Sequence, residues 1–277
     1  MICEKAYAKL NLTLSVLGER EDGFHNLKTL MVPVVDLYDE LYFKEHDSND
    51  FIIENCEIVN NSIIKAARLF QKKYNTKGAV IRLVKRIPIE GGLAGGSADS
   101  SATLRGLSRL FNLNIPLKEL EELAKELGSD NVYCLYNKAA VCTGRGEVVE
   151  FLDFDFEFEA TLLKPRFGLL TKEVFGHLRV KEFHANQLEI ILELLKNHKY
   201  EFLNEYLYND LKEPAMILAP ELRNIYESLL SNGVITHLTG SGSTLFAVEK
   251  DIDLSNTDFD YDYFKKHLVK NSVNDWL

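Results

Sequence analysis

Residues Arg86 to Leu107 read RIPIEGGLAGGSADSSATLRGL, with glycines at 91, 92, 95 and 96. Glycine forgoes side-chain packing and costs extra conformational entropy on folding, so a cluster marks backbone that bends unusually or lets another group come close. Beyond Gly96 the pattern turns helical. Leu104, Leu107 and Leu110 recur at the spacing of one helix face, with Ser97 in the place of an N-cap. The first turn of such a helix carries unpaired N–H groups and the positive end of the dipole, which together hold phosphate or carboxylate. Glycine content alone also fits a strand-to-helix connection without a ligand.

Two common phosphate loops are excluded by spacing. Ser97-Ala98 follows Gly96 where a nucleotide triphosphatase loop requires Lys and Ser or Thr. Nor do the four glycines give the G-x-G-x-x-G of dinucleotide folds and protein kinases. Two further residues have types suited to phosphoryl transfer, which needs a positioned hydroxyl, a group to take its proton and a cation against the developing charge. Asp130 follows the helix stop Gly128 and reads as a base or as an ordinary N-cap. Lys9 sits on a strand face opposite Leu10 and Leu12, where a cation would hold a carboxylate ionised or simply be solvated.

The elements that must position these residues alternate between strand and helix. Leu10, Leu12, Leu14 and Val16 show the period of a half-buried strand, leaving Lys9 and Asn11 on the other face. TLMVPVVDLYDELYFKE and AVIRLVKRIP read as strands, the latter feeding the glycine loop. NNSIIKAARLFQKKY and IPLKELEELAKELG read as helices, the second with Pro116 near its start and Gly128 at its stop. From residue 151, FLDFDFEFEATLLKP alternates Phe154, Phe156 and Phe158 with acidic residues, a strand with one wet face. Helical segments follow around Gln187 to Lys196 and Pro220 to Ser231, then a strand into the glycines of LTGSGSTLF.

Pro88 to Ser97 resembles the ATP loop of the galactokinase, homoserine kinase, mevalonate kinase and phosphomevalonate kinase (GHMP) superfamily. AYAKLNLTLSVLGEREDGFHNL, LGSDNVYCLYNKAAVCTGRGE and LTGSGSTLF resemble, in order, the other motifs of the branch that acts on 4-diphosphocytidyl-2-C-methyl-D-erythritol. Four ordered motifs carry far more weight than one glycine loop. The resemblance implies an α+β, two-domain architecture: an N-terminal ribosomal-protein-S5-domain-2-like domain at 1–153 for ATP and catalysis, and a C-terminal ferredoxin-like α/β sandwich at 154–277 for substrate. It implies ATP-dependent phosphorylation of the 2-hydroxyl of that cytidine compound, giving the 2-phosphate and ADP, in the non-mevalonate route to isoprenoid precursors. Another GHMP kinase, of homoserine or mevalonate type, or a non-catalytic nucleotide-binding member, is the alternative.

Carried over residue by residue, the resemblance makes Lys9 and Asp130 catalytic. It gives ATP to Pro88, Ile89, Glu90, Gly91, Gly92, Leu93, Ala94, Gly95, Gly96, Ser97 and Ala98. Substrate falls to Asn11, Phe24, His25, Thr171 and Phe175, with the aromatics and His25 clasping the cytosine. Gly240, Ser241 and Gly242 form the closing motif beside the phosphates. Mg²⁺ is implied to bridge phosphate oxygens, with no protein ligand assigned; Lys85 and Arg86 are given no role. Two positions depart from the pattern: Asn131-Val132 stands where a proline commonly lies two residues after the aspartate, and Ser243 precedes Thr244 where a proline is frequent. The acidic stretch DIDLSNTDFDYDYF has no counterpart.

Composition bounds the partners. A chain of 277 residues with 46% hydrophobic content supports a large core and suits two domains. A net charge of −10 argues against nucleic acid or an anionic membrane surface, both of which need a basic face. Cys3, Cys56, Cys134 and Cys142 show neither paired ligand spacing nor a disulfide framework. No apolar run reaches the length of a membrane span. The expectation is a cytoplasmic monomer or weak homodimer working on small molecules.

Overall fold

The computed structural model describes residues 1–54, 62–179, 186–248, 254 and 259–273. Its first half is built on a long antiparallel hairpin, β1 (Ile2–Glu19) with β2 (His25–Glu45), paired from Ile2↔Phe43 to Glu19↔His25. The half-wet strand expected around Leu10 is wet on neither side: Lys9, Asn11, Thr13 and Ser15 are as buried as the leucines between them. The leucine face meets the helical layer, and later segments cover the polar face. Thr13 and Leu14 pair with β8 (Tyr208–Asn209), and the amide of Asn11 donates to Thr239 Oγ1.

β3 (Ile52–Glu54), α1 (Ser62–Tyr74) and β4 (Ala79–Val84) lead to the glycine loop and α2 (Gly95–Leu110). The helix starts earlier than the sequence reading places it. Ala94, in a left-handed conformation at φ 59°, holds the N-cap position, and Ser97 lies inside the first turn. α2 is buried on nearly all sides, for reasons written in two residues. A Cβ on Gly106 would stand 2.3 Å from the Phe43 ring, so glycine is what lets the helix seat on β2. Arg105, buried within α2, meets Glu4 of β1 and donates to the carbonyls of Lys5, Cys134 and Leu135. One guanidinium thereby fixes α2 against the strand that bears Lys9 and the helix that follows Asp130.

α3 (Leu117–Leu127), α4 (Asn131–Tyr136), β5 (Ala140–Gly144) and β6 (Val148–Phe151) complete this half. The strand expected from residue 151 starts later, as β7 (Glu157–Pro165), although Phe156 and Phe158 are buried and Glu157 and Glu159 exposed as the alternation requires. Then come α5 (Thr171–Gly176), α6 (Gln187–Lys196), a 3₁₀ turn at Tyr200–Glu205, β8, α7 (Lys212–Leu218), α8 (Pro220–Ser231), β9 (His237–Leu238), β10 (Leu245–Val248) and β11 (Tyr261–Lys270). β11 arises from the acidic stretch that had no counterpart, much of which lies outside the described residues. Lys164 and Arg166 stand opposite Asp260 and Asp262 there.

Among the described residues all eleven strands join in one sheet, with the path β3-β4-β2-β11-β7-β10-β9 and with β1 and β5 also paired to β2. Two apolar clusters back it. One holds Leu10, Leu12, Phe43, Leu104, Phe158 and Leu162; the other holds Leu14, Val16, Leu163, Val174, Leu229 and Leu245. Alternation sends Leu162 and Leu163 of β7 to different cores, whereas β1 passes from one core to the other along its length, across the register shift between Asn11 and Thr13. No described helix is long and apolar enough to cross a membrane.

Candidate active site

A cleft of about 1270 Å³ lies between the two halves of the chain, and residues read from the sequence converge on it from separate elements. β1 supplies Lys9 and Asn11; the tip of the β1–β2 hairpin supplies Phe24 and His25; the loop before α2 supplies Pro88 to Ser97. Asp130 comes from the turn between α3 and α4, Thr171 and Phe175 from α5, and Gly240 and Ser241 from the β9–β10 turn. Ala98 and Gly242 do not line the cleft. Ala98 is buried behind the loop, and Gly242 backs onto Leu238 and Leu169.

The glycine loop is held from behind by the closing motif. Thr244 N–H donates to Gly91 O and Ser243 N–H to Glu90 O. The second bond needs an N–H that proline lacks, which gives a physical use to the serine at that position. Gly92 has φ +74°, and a Cβ on it would lie 2.1 Å from the carbonyl oxygen of Thr239. Gly240 is equally confined, its Cβ position lying 2.8 Å from Gly92 O. Backbone touches backbone here, so the loop's shape depends on a segment about 150 residues further along the chain.

Lys9 is the hinge of the site. Its buried Nζ donates to Asn11 Oδ1 at 2.6 Å and to Gly92 O at 2.7 Å, and lies 3.8 Å from Asp130 Oδ2. Burial lowers its pKa and Asp130 opposes that fall. Asp130 occupies the N-cap position of α4, yet its side chain makes no capping hydrogen bond. The carboxylate is left to the cleft and to Lys9 rather than to capping the helix. The backbone that proline commonly stiffens is tied down by Asn131 instead: its buried Nδ2 donates to Ser100 Oγ at 2.6 Å and Ser97 O at 3.3 Å, while Ser101 Oγ donates to Asn131 O.

At the far end the rings of His25 and Phe175 lie tilted by 31° at a centroid distance of 4.9 Å. The two rings touch each other, so no flat ring fits between them. Thr171 Oγ1 and Ser241 Oγ are hydrogen-bonded at 2.9 Å, joining α5 to the closing motif.

Sequence reasoning left other cleft residues unassigned. Lys85 Nζ donates to Asp39 Oδ2 at 2.6 Å and Asp99 Oδ2 at 2.7 Å, beneath the loop. Arg86 points away to Glu40. A motif cannot show this arrangement, because Asp39 is contributed by β2. Burial pushes Asp99 up to about 7, with Lys85 opposing and Asp39 adding to the rise. The native state then holds a proton that an unfolded carboxylate, at about 4, does not. The resulting stabilisation is complete below pH 4 or so and is lost as pH rises through about 7. In urea unfolding between pH 5.5 and 8.5, Asp99→Asn is expected to show a shallower loss of stability than the native chain. Equal slopes would contradict the assignment.

Comparison with known proteins follows the same lines. Residues 61–138 match the pattern described as GHMP kinases N terminal domain, and residues 191–254 that described as GHMP kinases C terminal. A Staphylococcus aureus protein provisionally named 4-diphosphocytidyl-2-C-methyl-D-erythritol kinase is 37% identical over 257 residues, 90% of this chain and 91% of its own. A Staphylococcus epidermidis protein of the same provisional name is 39% identical over 255 residues, 90% of each chain. The crystal structure of a 4-(cytidine 5'-diphospho)-2C-methyl-D-erythritol kinase superposes with a TM-score of 0.77, covering 97% of this chain and 99% of that one at 28% identity. A homoserine kinase from Cytophaga hutchinsonii shares the fold at 15% identity, with a TM-score of 0.69 over 98% of this chain and 95% of its own. The two-domain GHMP kinase fold is the architecture of this chain.

Proposed function

The chain belongs to the GHMP kinases, in the family of 4-diphosphocytidyl-2-C-methyl-D-erythritol kinases, and from that premise we propose that it phosphorylates the 2-hydroxyl of that cytidine compound. ATP is the co-substrate. One observation carries the reading: a single cleft joins the glycine loop to the Lys9–Asp130 pair and then to the aromatic end at Phe24, His25 and Phe175.

The chemistry follows from that order. The acceptor hydroxyl oxygen attacks the γ-phosphorus, the bond to the β–γ bridging oxygen breaks, ADP departs, and Asp130 takes the hydroxyl proton. Lys9, 3.8 Å from Asp130, stabilises charge on the transferred group. N–H groups at the start of α2 hold the phosphates. Mg²⁺ neutralises phosphate charge in such transfers and keeps much of its water. Among the described residues no group of three acidic, histidine or cysteine side chains forms a metal cage, and no protein ligand is assigned to the ion.

The same proposal assigns ATP and catalysis to residues 1–153 and completion of the acceptor pocket to 154–277, in a cytoplasmic monomer or weak homodimer. Release of ADP from Mg-ATP, compared for the cytidine acceptor, homoserine and mevalonate, tests it. The cytidine compound is expected to turn over fastest. Faster turnover of another alcohol would replace the acceptor, and ATP binding without transfer to any of them would favour a non-catalytic member of the fold.

A further inference from the structure

Lys164 lies near the end of β7, in the second half of the chain, and is buried. A buried ammonium is costly unless it is hydrogen-bonded and balanced by charge. Its Nζ donates to the carbonyls of Pro165 at 2.9 Å and Phe167 at 3.1 Å. Burial lowers its pKa, and the carboxylates of Asp262, 3.8 Å away, and of Glu90 oppose that fall. The phosphoryl transfer proposed above makes no use of this cation.

Its surroundings lead to the glycine loop. A Cβ on Gly91 would stand 3.3 Å from Lys164 Cδ, so the lysine stem runs directly behind the loop. The bend that the ammonium holds, at 165–169, wraps Glu90: Leu169 N–H donates to Glu90 O at 3.4 Å, and a Cβ on Gly168 would overlap the Glu90 side chain. Ser243 Oγ of the β9–β10 turn donates to the same Phe167 O as the lysine. Glu90 itself stands at φ +53°, a left-handed conformation that a residue other than glycine keeps only when its neighbours hold it there. It also lines the cleft, which puts a carboxylate into a loop that receives phosphates.

We propose that Lys164 is a positioning residue of the nucleotide site: it holds the bend that seats Glu90 and balances that carboxylate from behind, so that the loop offers the phosphates its N–H groups rather than a bare negative charge. The inference rests on the loop's binding of ATP. An ionised Glu90 beside a triphosphate repels it, and a chain of net charge −10 offers little to offset that repulsion. Lys9 and Lys85 are engaged by Asp130 and by Asp39 with Asp99. Lys164 supplies the balancing charge from a strand of the other half. Nucleotide binding by the first half thereby depends on a side chain of the second.

Calorimetric titration of the full chain with a non-hydrolysable ATP analogue and Mg²⁺, and separately with adenosine, tests this without turnover. Lys164→Met keeps a stem against Gly91 and leaves Phe167 O its bond from Ser243, so folding, followed in urea, is expected to survive. The variant should bind the analogue about 10-fold more weakly and adenosine within about twofold of the native chain. Should methionine unfold the chain, Lys164→Gln, which keeps a donor without the charge, carries the same expectation. Adding Glu90→Gln should recover part of the lost affinity, because the two charges are coupled. In steady state KM for ATP should rise while KM for the acceptor holds. Equal weakening of analogue and adenosine would make Lys164 a support of the fold alone, and a double variant no better than Lys164→Met would remove Glu90 from the account; either overturns the proposal. Lysine-dependent binding of the analogue without turnover of the cytidine acceptor would sustain the positioning role and sink the reaction. Turnover of that acceptor with an unchanged KM for ATP in Lys164→Met would do the reverse.

Discussion

Asp130→Asn is expected to lower turnover by about 10²- to 10⁴-fold, the range for removing a general base, while leaving ATP affinity nearly intact. The substitution keeps the size of the side chain and suits the start of α4, where asparagine is as acceptable as aspartate. Since Asp130 makes no capping hydrogen bond, little fold stability depends on its charge. What changes is the proposed acceptor for the hydroxyl proton and the counter-charge 3.8 Å from Lys9. Lys9→Met should be comparably slow, and the double variant little slower than either, because paired groups in one step do not act additively. Burst and steady-state ADP release measure both. An Asp130→Asn enzyme with native turnover would send the search to another base.

Gly92→Ala should damage both nucleotide affinity and stability. A left-handed φ of +74° costs an alanine about 1–2 kcal/mol. The added Cβ would also meet Thr239 O at 2.1 Å, and backbone has no rotamer by which to escape. Separating loop from closing motif adds the cost of overpacking, about 1–3 kcal/mol, so a total of about 2–5 kcal/mol is expected in urea unfolding. The same shift moves Gly92 O away from Lys9 Nζ. Gly96→Ala is the control: its Cβ position meets only Ser62 Oγ at 3.7 Å, inside a helix, and stability should hold or rise. Similar losses in both variants would mean that crowding against Thr239 is not the cause.

Legibility in the sequence depended on how local the information was. The glycine loop, Lys9 in its strand and Asp130 after Gly128 were readable because each is marked within a few residues and the motifs come in a recognisable order. Burial on both faces of β1 was not readable, because the cover comes from Tyr208 and Thr239, about 200 residues away. Asp99 and Asp39 were missed for the same reason: a helix residue and a strand residue 60 positions apart meet around Lys85 only in the fold. Arg145 lay inside a quoted motif, but nothing in TGRGE tells that its turn folds over Phe24. β11 was hidden by composition, since Asp260 and Asp262 at its start belong to an acidic stretch without a counterpart until Lys164 and Arg166 are placed opposite them.

The position of β11 also bears on how the molecule is made. Among the described strands it comes last in the chain yet sits between β2 and β7, so a ribosome delivers the seam of the sheet after the strands on either side of it. Until Tyr261–Lys270 emerge, β7 offers an open edge to any neighbouring nascent chain. Its acidic alternation answers that hazard. Glu157 and Glu159 repel a second copy of the same edge, while the late strand carries Lys270 to within 2.6 Å of Glu157 and Lys266 to within 3.5 Å of Glu159. The charge pattern thus rejects premature partners and admits the rightful one when synthesis reaches it.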